Sequence, residues 1–445
     1  MPRVLLLLPT TTYRSEAFVA AASRLRVDVT VASEQPNALA RLNPTALLTL
    51  DFNDPQKAAQ RVVEFSATHP IDAVVPVDSQ VVVVGAAISG ALGLRHNSVT
   101  SAIAAQDKHR MRQQFKQAGV PSPKFTLCSL QEDRAALGHR VDFPCVVKPL
   151  SLAASQGVIR ADDQGQFIRA VNRLDAILKR EHGMPGASET SGNARAPSQV
   201  GLPTSSEEFL VEQFVGGTEV ALEGMLTRGV LSVLALFDKP DPLDGPYFEE
   251  TIYVTPSRLP AATQGEIARC AEQAARALGL TEGPVHAELR LAIDGPTVIE
   301  VNARSIGGLC SRTLRFGTGM SLEELIIRCA VDGEFEAPER QCQPTGVMMI
   351  PTPCAGRFIK VHGLDEARAV SGVEGVTISA HPGQRLVPLP EGSRYLGFIF
   401  AQADSPESVE TALRESHARL EFEIEPADER EDDHTTPSER STEAV

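Results

Sequence analysis

The chain has 445 residues, 42% of them hydrophobic and 22% charged, enough for several packed units with a sizeable core. Its formal charge of −15 excludes a generic nucleic-acid binder, whose surface must be basic to meet phosphates. Seven cysteines, odd in number and widely spaced, hold no C-x-x-C pair to suggest zinc or a redox couple and point to free thiols in a reducing cytosol.

Residues 4–8 are apolar but stop at Pro9, too short for a signal-peptide core or a membrane span, and read as a first buried strand. Residues 27–31, 47–50 and 73–77 read as further strands, with 16–24 and 55–68 as the helices between them. This βαβ layout runs to Pro121 and Pro123. Asp78 follows the fourth strand at its carboxyl end, where open α/β sheets place ligands; it reads equally as a substrate contact or, with Ser79, as a helix cap.

From Lys124 a second unit holds a strand at 145–147, a loop of small residues, and another strand near Val158. Residues 181–207 turn to Gly, Pro, Ser, Asn and Thr and read as a flexible insertion without chemistry. Strands and motifs are densest from Phe209 to Gly333. Beyond Gly346 come short β-like runs including 396–400, a helix pattern at 406–420 and a last strand at 421–424. From Glu425 onward eight acids stand against two arginines with almost no apolar residues, so the tail reads as a disordered, solvated end.

The sharpest motif is His286-Ala287-Glu288 followed by Ile299-Glu300-Val301-Asn302-Ala303-Arg304, with a turn at Asp294-Gly295-Pro296 that makes the pair a hairpin. Glu300, Asn302 and Arg304 alternate, so a regular strand projects all three from one face, and Glu288 can share it. Two carboxylates and an amide oxygen form a hard-oxygen site of the kind magnesium takes with phosphates, and an arginine beyond them can meet a phosphate or an oxyanion. The mostly apolar run 298–301 suggests a buried strand, where charge needs a metal or a partner.

A second motif, Val146-Val147-Lys148-Pro149, leads into Ser151 and on to Ser155-Gln156-Gly157. A lysine leaving a buried strand, with the backbone N–H groups of 155–157, can hold phosphate oxygens. Lys108 is a weaker candidate, since many such lysines only cap or solvate a helix. A third, Glu212-Gln213-Phe214-Val215 before Glu219, can offer backbone groups to an adenine edge, or can be a plain hairpin.

Taken in order, these motifs resemble the ATP-grasp superfamily over about residues 1–425. Gly245-Pro246-Tyr247-Phe248-Glu249-Glu250, Arg304-Ser305-Ile306-Gly307-Gly308 and Tyr395-Leu396-Gly397-Phe398-Ile399-Phe400 are similar to the L-amino-acid ligase group. The resemblance implies an α/β and α+β multidomain ATP-grasp fold. Its parts would be a biotin-carboxylase-like N-terminal α/β (preATP-grasp) domain at 1–123, a small lid subdomain at 124–211, a large subdomain at 212–333 and a C-terminal β-rich closing domain at 334–425, with the tail at 426–445. It implies ATP with two magnesium ions, manganese being the alternative metal.

By the same resemblance, Lys108 and Lys148 hold phosphates under a lid of Ser155, Gln156 and Gly157. Gln213, Phe214 and Val215 frame adenine beside Glu212, and Glu219 holds ribose. Glu288, Glu300 and Asn302 bind metal, and Arg304 stabilises the acyl phosphate. Glu250 meets the substrate amino group or a metal, while Gly307, Gly308 and Arg312 line the amino-acid pocket. The lid departs from the family in keeping only Gly157 where several glycines are usual, with Ala153, Ala154 and Ser155 in the others' place. The implied reaction joins a small-molecule carboxylate to an amine, both amino-acid-like, with no nucleic acid or membrane involved; related enzymes are often dimers, so a homodimer is an expectation too. Two other readings stay open: bicarbonate-dependent carboxylation, and a silent nucleotide-binding protein.

Overall fold

The computed structural model describes residues 1–36, 43, 45–183, 207–333 and 338–426. Residues 184–206 of the expected insertion and 427–445 of the expected tail lie outside the described residues.

The first four strands form at Arg3–Leu7, Asp28–Ser33, Leu47–Thr49 and Ala73–Pro76, close to where the apolar runs put them. They pair in parallel, with Arg3–Leu7 between Asp28–Ser33 and Ala73–Pro76. A parallel sheet is covered on both faces, which is why its central strand is apolar throughout. Val4 and Leu6 pack with helices Ser15–Leu25 and Leu322–Asp332, while Leu5 and Leu7 pack with Pro55–Ser66 and Val82–Ala91.

A second, antiparallel sheet has the order Phe125–Ser129, Glu208–Gln213, Cys145–Pro149, Ile159–Ala161. The helix Gln164–Gly183 backs it, burying Phe167, Val171 and Leu174 in one cluster with Cys145, Val147 and Phe209.

The largest sheet has eight antiparallel strands in the order Gly295–Asn302, Gly283–Ala292, Glu219–Thr227, Val230–Asp238, Ile252–Thr255, Thr345–Ile350, Gly397–Gln402, Val373–Ile378. One face carries Val220, Leu222, Val285, Ala287 and Leu289 onto the helix Ala261–Ala277. Because side chains alternate across a strand, Glu219, Glu223, His286, Glu288, Arg290, Glu300 and Asn302 share the other face. Further along that face the polar row gives way to an apolar wall of Phe237, Tyr253, Met349, Phe398 and Phe400. A small sheet of Arg385–Leu386, Gly356–His362 and Glu421–Glu425 completes the carboxyl-terminal region.

Candidate active site

The expected hairpin forms, with Ile293 and Asp294 as its two-residue turn and Gly295 at φ 111°, a conformation open to glycine. Its register breaks once. Glu288 pairs with Glu300 but Leu289 pairs with Val298, so Ile299 is an extra, bulged residue. The buried Arg112 donates from Nη2 to the Ile299 carbonyl at 2.6 Å and holds that bulge. The two carboxylates of Glu288 and Glu300 are thereby set directly opposite each other, where like charges repel.

Their environments differ. Burial raises Glu288, and the charges of Glu219 and Glu300 add to it, together outweighing Lys239. Burial also pushes Glu300 up, but Lys108, Lys148, Arg304 and Arg112 outweigh it and hold its carboxyl below the usual range. With Asn302 two residues along the same face, the donor set of two carboxylates and an amide suits a hard divalent cation, which would relieve the repulsion at Glu288.

Arg304 departs from the expected alternation, because the strand ends at Asn302. The arginine is aimed instead by hydrogen bonds from Nε to Ser79 Oγ at 2.9 Å and from Nη1 to the Ser305 carbonyl at 2.9 Å. Ser79 opens a short turn at the carboxyl end of the parallel sheet, and Asp78 makes no side-chain cap there. Arg14 ties the same junction, donating from Nη1 to the Val77 carbonyl at 3.1 Å and from Nη2 to Ser305 Oγ at 2.8 Å.

Both lysines act on Glu300. Lys108 begins the helix Lys108–Ala118; its Nζ donates to the Leu152 carbonyl at 2.8 Å and lies 3.9 Å from Glu300 Oε1. Lys148 lies on Cys145–Pro149 with its Nζ 2.6 Å from Glu212 Oε2. Glu212, expected beside adenine, is buried between Lys148 and Arg112, whose Nε is 2.7 Å away. Burial works against its charge, yet Arg112 and Lys148 outweigh that and keep the carboxyl low. Burial lowers Lys148, with Arg112 and Lys108 adding to the effect and Glu212 opposing it.

The expected ribose contact, Glu219, has both oxygens engaged: Oε1 by Lys239 Nζ at 2.7 Å and Oε2 by Arg290 Nε at 2.9 Å. Arg290 Nη1 also donates to the Val215 carbonyl at 2.7 Å. In the same hinge the Gln213 N–H bonds the Lys124 carbonyl at 2.9 Å and the Phe214 N–H bonds the Pro144 carbonyl at 3.0 Å. Those three backbone groups are therefore engaged within the protein. The Phe214 ring lies under two guanidiniums, Arg160 at 4.0 Å and Arg290 at 5.2 Å from its centroid.

The small-residue loop is similarly occupied. Gln156 N–H bonds the Ala153 carbonyl at 3.2 Å and Gly157 N–H bonds the Pro390 carbonyl at 2.8 Å, so two of the three expected phosphate donors are engaged. Gln156 Nε2 donates to the Glu391 carbonyl at 2.9 Å, and Arg173 Nη2 donates to Glu391 Oε2 at 2.8 Å. The loop is thus latched to residues 390–391 of the carboxyl-terminal region. Ala154 and Ser155 take φ values of 53° and 57°, a left-handed backbone that side chains disfavour.

Sequence reasoning missed Lys239. The residue is 3% exposed, and its Nζ contacts Glu219 and Glu250 and lies 3.7 Å from Glu288 Oε2. Oxygens of these three carboxylates all lie within 4.8 Å of one another, and the ammonium supplies positive charge among them. Tyr253 OH donates to Glu250 Oε1 at 2.8 Å. Burial raises Glu250 despite Lys239. The signal was present: Phe237-Asp238-Lys239-Pro240 repeats the strand-Lys-Pro pattern of Val147-Lys148-Pro149. Glu223 was also missed. Fully buried, it accepts from the Ile306 N–H at 2.9 Å and lies 3.2 Å from His286 Nδ1, which anchors the chain just after Arg304.

Gly308, at φ 62°, lies against Phe398, so closely that a Cβ there would meet the ring at 3.1 Å. The Phe398 ring stands 6.1 Å from Tyr13 and 6.3 Å from Tyr395. Gly307 lies near Arg304, and Arg312 sits over Phe400 at 5.5 Å.

The ATP-grasp domain model matches residues 141–313, between the ATP-grasp N-terminal domain over 19–96 and the L-amino acid ligase C-terminal domain 2 over 348–425. The alanine–anticapsin ligase of Bacillus subtilis is 27% identical across 62% of this chain; the chain spans 58% of that protein's length. The structure of an L-amino acid ligase from Bacillus licheniformis superposes with a TM-score of 0.77 and 26% identity, covering 96% of this chain and 99% of that one. The biotin carboxylase domain of Hydrogenobacter thermophilus 2-oxoglutarate carboxylase shares the fold alone, with a TM-score of 0.63 and 14% identity over 95% of this chain and 90% of that one. The expected ATP-grasp fold, with its N-terminal and C-terminal domains, is the one observed. The chain belongs to the ATP-grasp superfamily and, within it, is similar to the L-amino-acid ligases.

Proposed function

We propose that the protein is an ATP-dependent, ADP-forming ligase that joins the carboxylate of one amino-acid-like substrate to the amine of another through an acyl phosphate. The observation that carries this reading is the opposed Glu288–Glu300 pair with Asn302 beside it, faced by Lys108 and Lys148. Magnesium, when bound, would neutralise phosphate charge; Glu288, Glu300 and Asn302 would hold it, as two ions.

Lys108 and Lys148 would bind ATP phosphates, with Glu212 and Arg112 keeping Lys148 in position. The substrate carboxylate oxygen attacks the γ-phosphorus in line and the bond to the β-phosphate bridging oxygen breaks, releasing ADP. Arg304, steered by Ser79, would meet the developing charge on the acyl group. The amine nitrogen then attacks the acyl carbon, losing a proton as inorganic phosphate departs, and an amide remains. Glu250 would hold the amine, while Gly307 and Gly308, against the wall of Phe398 and Tyr395, would shape the side-chain pocket. Most of the rate enhancement is positioning and charge stabilisation.

The test is a phosphate-release screen over pairs of amino acids, with the mass of each product measured. Phosphate release that requires both partners, with a product at the summed mass less water, supports the reading. Release driven by bicarbonate without an amine, or ATP binding with no turnover across the panel, overturns it.

A further inference from the structure

A cavity of about 410 Å³ lies at the far end of the eight-stranded sheet, within the range of about 300–1,000 Å³ common for small-molecule sites. Its floor is the ring of Phe400 and the edge strand Val373–Ile378. Three arginines line it, Arg312, Arg315 and Arg368, against a single acidic residue, Glu374. In a chain of net charge −15 that local excess of positive charge is out of keeping with the rest of the molecule.

Two of the arginines are held in place without neutralising partners. Arg312 rests over the Phe400 ring, and Arg315 Nη1 donates to the carbonyls of Arg312 at 3.2 Å and Leu314 at 2.7 Å. Neither makes an ion pair among the described residues. Arg368 has Asp365 at 3.5 Å, a carboxylate almost wholly in solvent that screens it little. Guanidiniums fixed through rings and carbonyls, and left without carboxylates, present forks matched to an oxyanion.

Register puts this cavity at some distance from Tyr253, whose hydroxyl donates to Glu250. Tyr253 pairs with Val347, Val347 with Phe400, and Phe400 with Gly375. Three strand spacings amount to roughly 14 Å along the sheet. The segment 306–313 packs on the same sheet face, with Ile306 and Cys310 buried against its apolar wall. One amino acid bound at Glu250 cannot span that distance.

We propose that Arg312, which the family resemblance put in the amino-acid pocket, belongs instead with Arg315 and Arg368 to a separate binding site for a small polyanionic carboxylate. Its occupant is either a free di- or tricarboxylate acting as an effector, or the acidic end of a peptide-length acceptor reaching along the sheet face. The site does not depend on the ligase reading, since its binding is measurable without ATP or turnover.

The experiment titrates citrate into the full chain by calorimetry, without nucleotide or magnesium, and repeats it with Arg315→Ala and Arg368→Ala. Both side chains are exposed, so the variants should fold, and unchanged ATP binding checks this. The expected result is saturable citrate binding weakened about tenfold or more by each substitution. No binding at about 10 mM citrate, some tenfold above the millimolar affinity of a minimal site, or binding that neither variant weakens, overturns the proposal. Either supporting arm then names the source: turnover altered by unconsumed citrate at fixed free magnesium, in the native chain and not in the variants, marks an effector, whereas a raised KM for a glutamate-terminated tripeptide in the variants marks an acceptor subsite.

Discussion

Lys239 donates its ammonium to Glu219 across 2.7 Å, and its backbone N–H bonds the Glu219 carbonyl at 3.3 Å, so one residue pair joins two neighbouring strands at both levels. Removing the charge with Lys239→Met leaves Glu219, Glu250 and Glu288 facing one another with Arg290 as the remaining cation beside Glu219. Breaking a buried pair in this way costs about 3–5 kcal/mol. Denaturant unfolding should register that loss, and added magnesium should recover part of it, because a cation relieves the same repulsion.

Glu223 governs how the chain leaves the sheet after Asn302. Glu223→Ala strips the partner from the buried Ile306 N–H and from His286, a loss of about 1–3 kcal/mol for each group left unsatisfied. The expected outcome is a fall in kcat with little change in ATP affinity, since the segment carrying Arg304 moves while the lysines stay. Single-turnover acyl-phosphate formation with separate nucleotide titration distinguishes the two.

The lid loop holds two residues in left-handed backbone and Gly157 at φ 73°. Gly157→Ala would add a Cβ 3.0 Å from Leu174 Cδ1 and 3.2 Å from Pro149 Cδ, at a backbone position costing about 1–2 kcal/mol for a side chain. The KM for ATP should rise. Ala154→Gly should do the reverse locally, relieving strain while adding unfolded-state entropy, so that thermal stability changes by less than about 1 kcal/mol.

Acid should open the latch between the lid and residues 390–391. Burial pushes Glu391 up, but the hydrogen bonds and charge of Arg173 outweigh it and hold the carboxyl below its usual range. A depressed folded value means the contribution is complete above the unfolded value of about 4.3 and is lost as pH falls through the folded one. The pair is partly exposed, so the effect is about 1 kcal/mol or less. Limited proteolysis of the lid should accelerate below about pH 4 in the native protein, while Glu391→Gln should be as susceptible at neutral pH.

The hairpin, the parallel sheet and the place of Lys148 were legible because each rests on local pattern: alternation, continuous apolar runs, a lysine at the end of a strand. What was illegible depends on pairing between distant segments. Nothing local in Glu212 or Glu219 says that Arg112, Lys148, Lys239 and Arg290 will meet them in the fold and take their oxygens. Arg304 misled by continuing a two-residue alternation that the backbone abandons at Asn302. The link from Gly157 to Pro390 spans more than half the chain and has no sequence signature at either end.

The central claim is that Glu288 and Glu300, opposed across the hairpin, organise the phosphates for carboxylate activation. The most direct test is amine-dependent ADP formation by Glu300→Ala, measured with a substrate pair that the native chain joins. Loss of that activity with the fold intact by circular dichroism is the predicted result, whereas near-normal turnover would contradict the account.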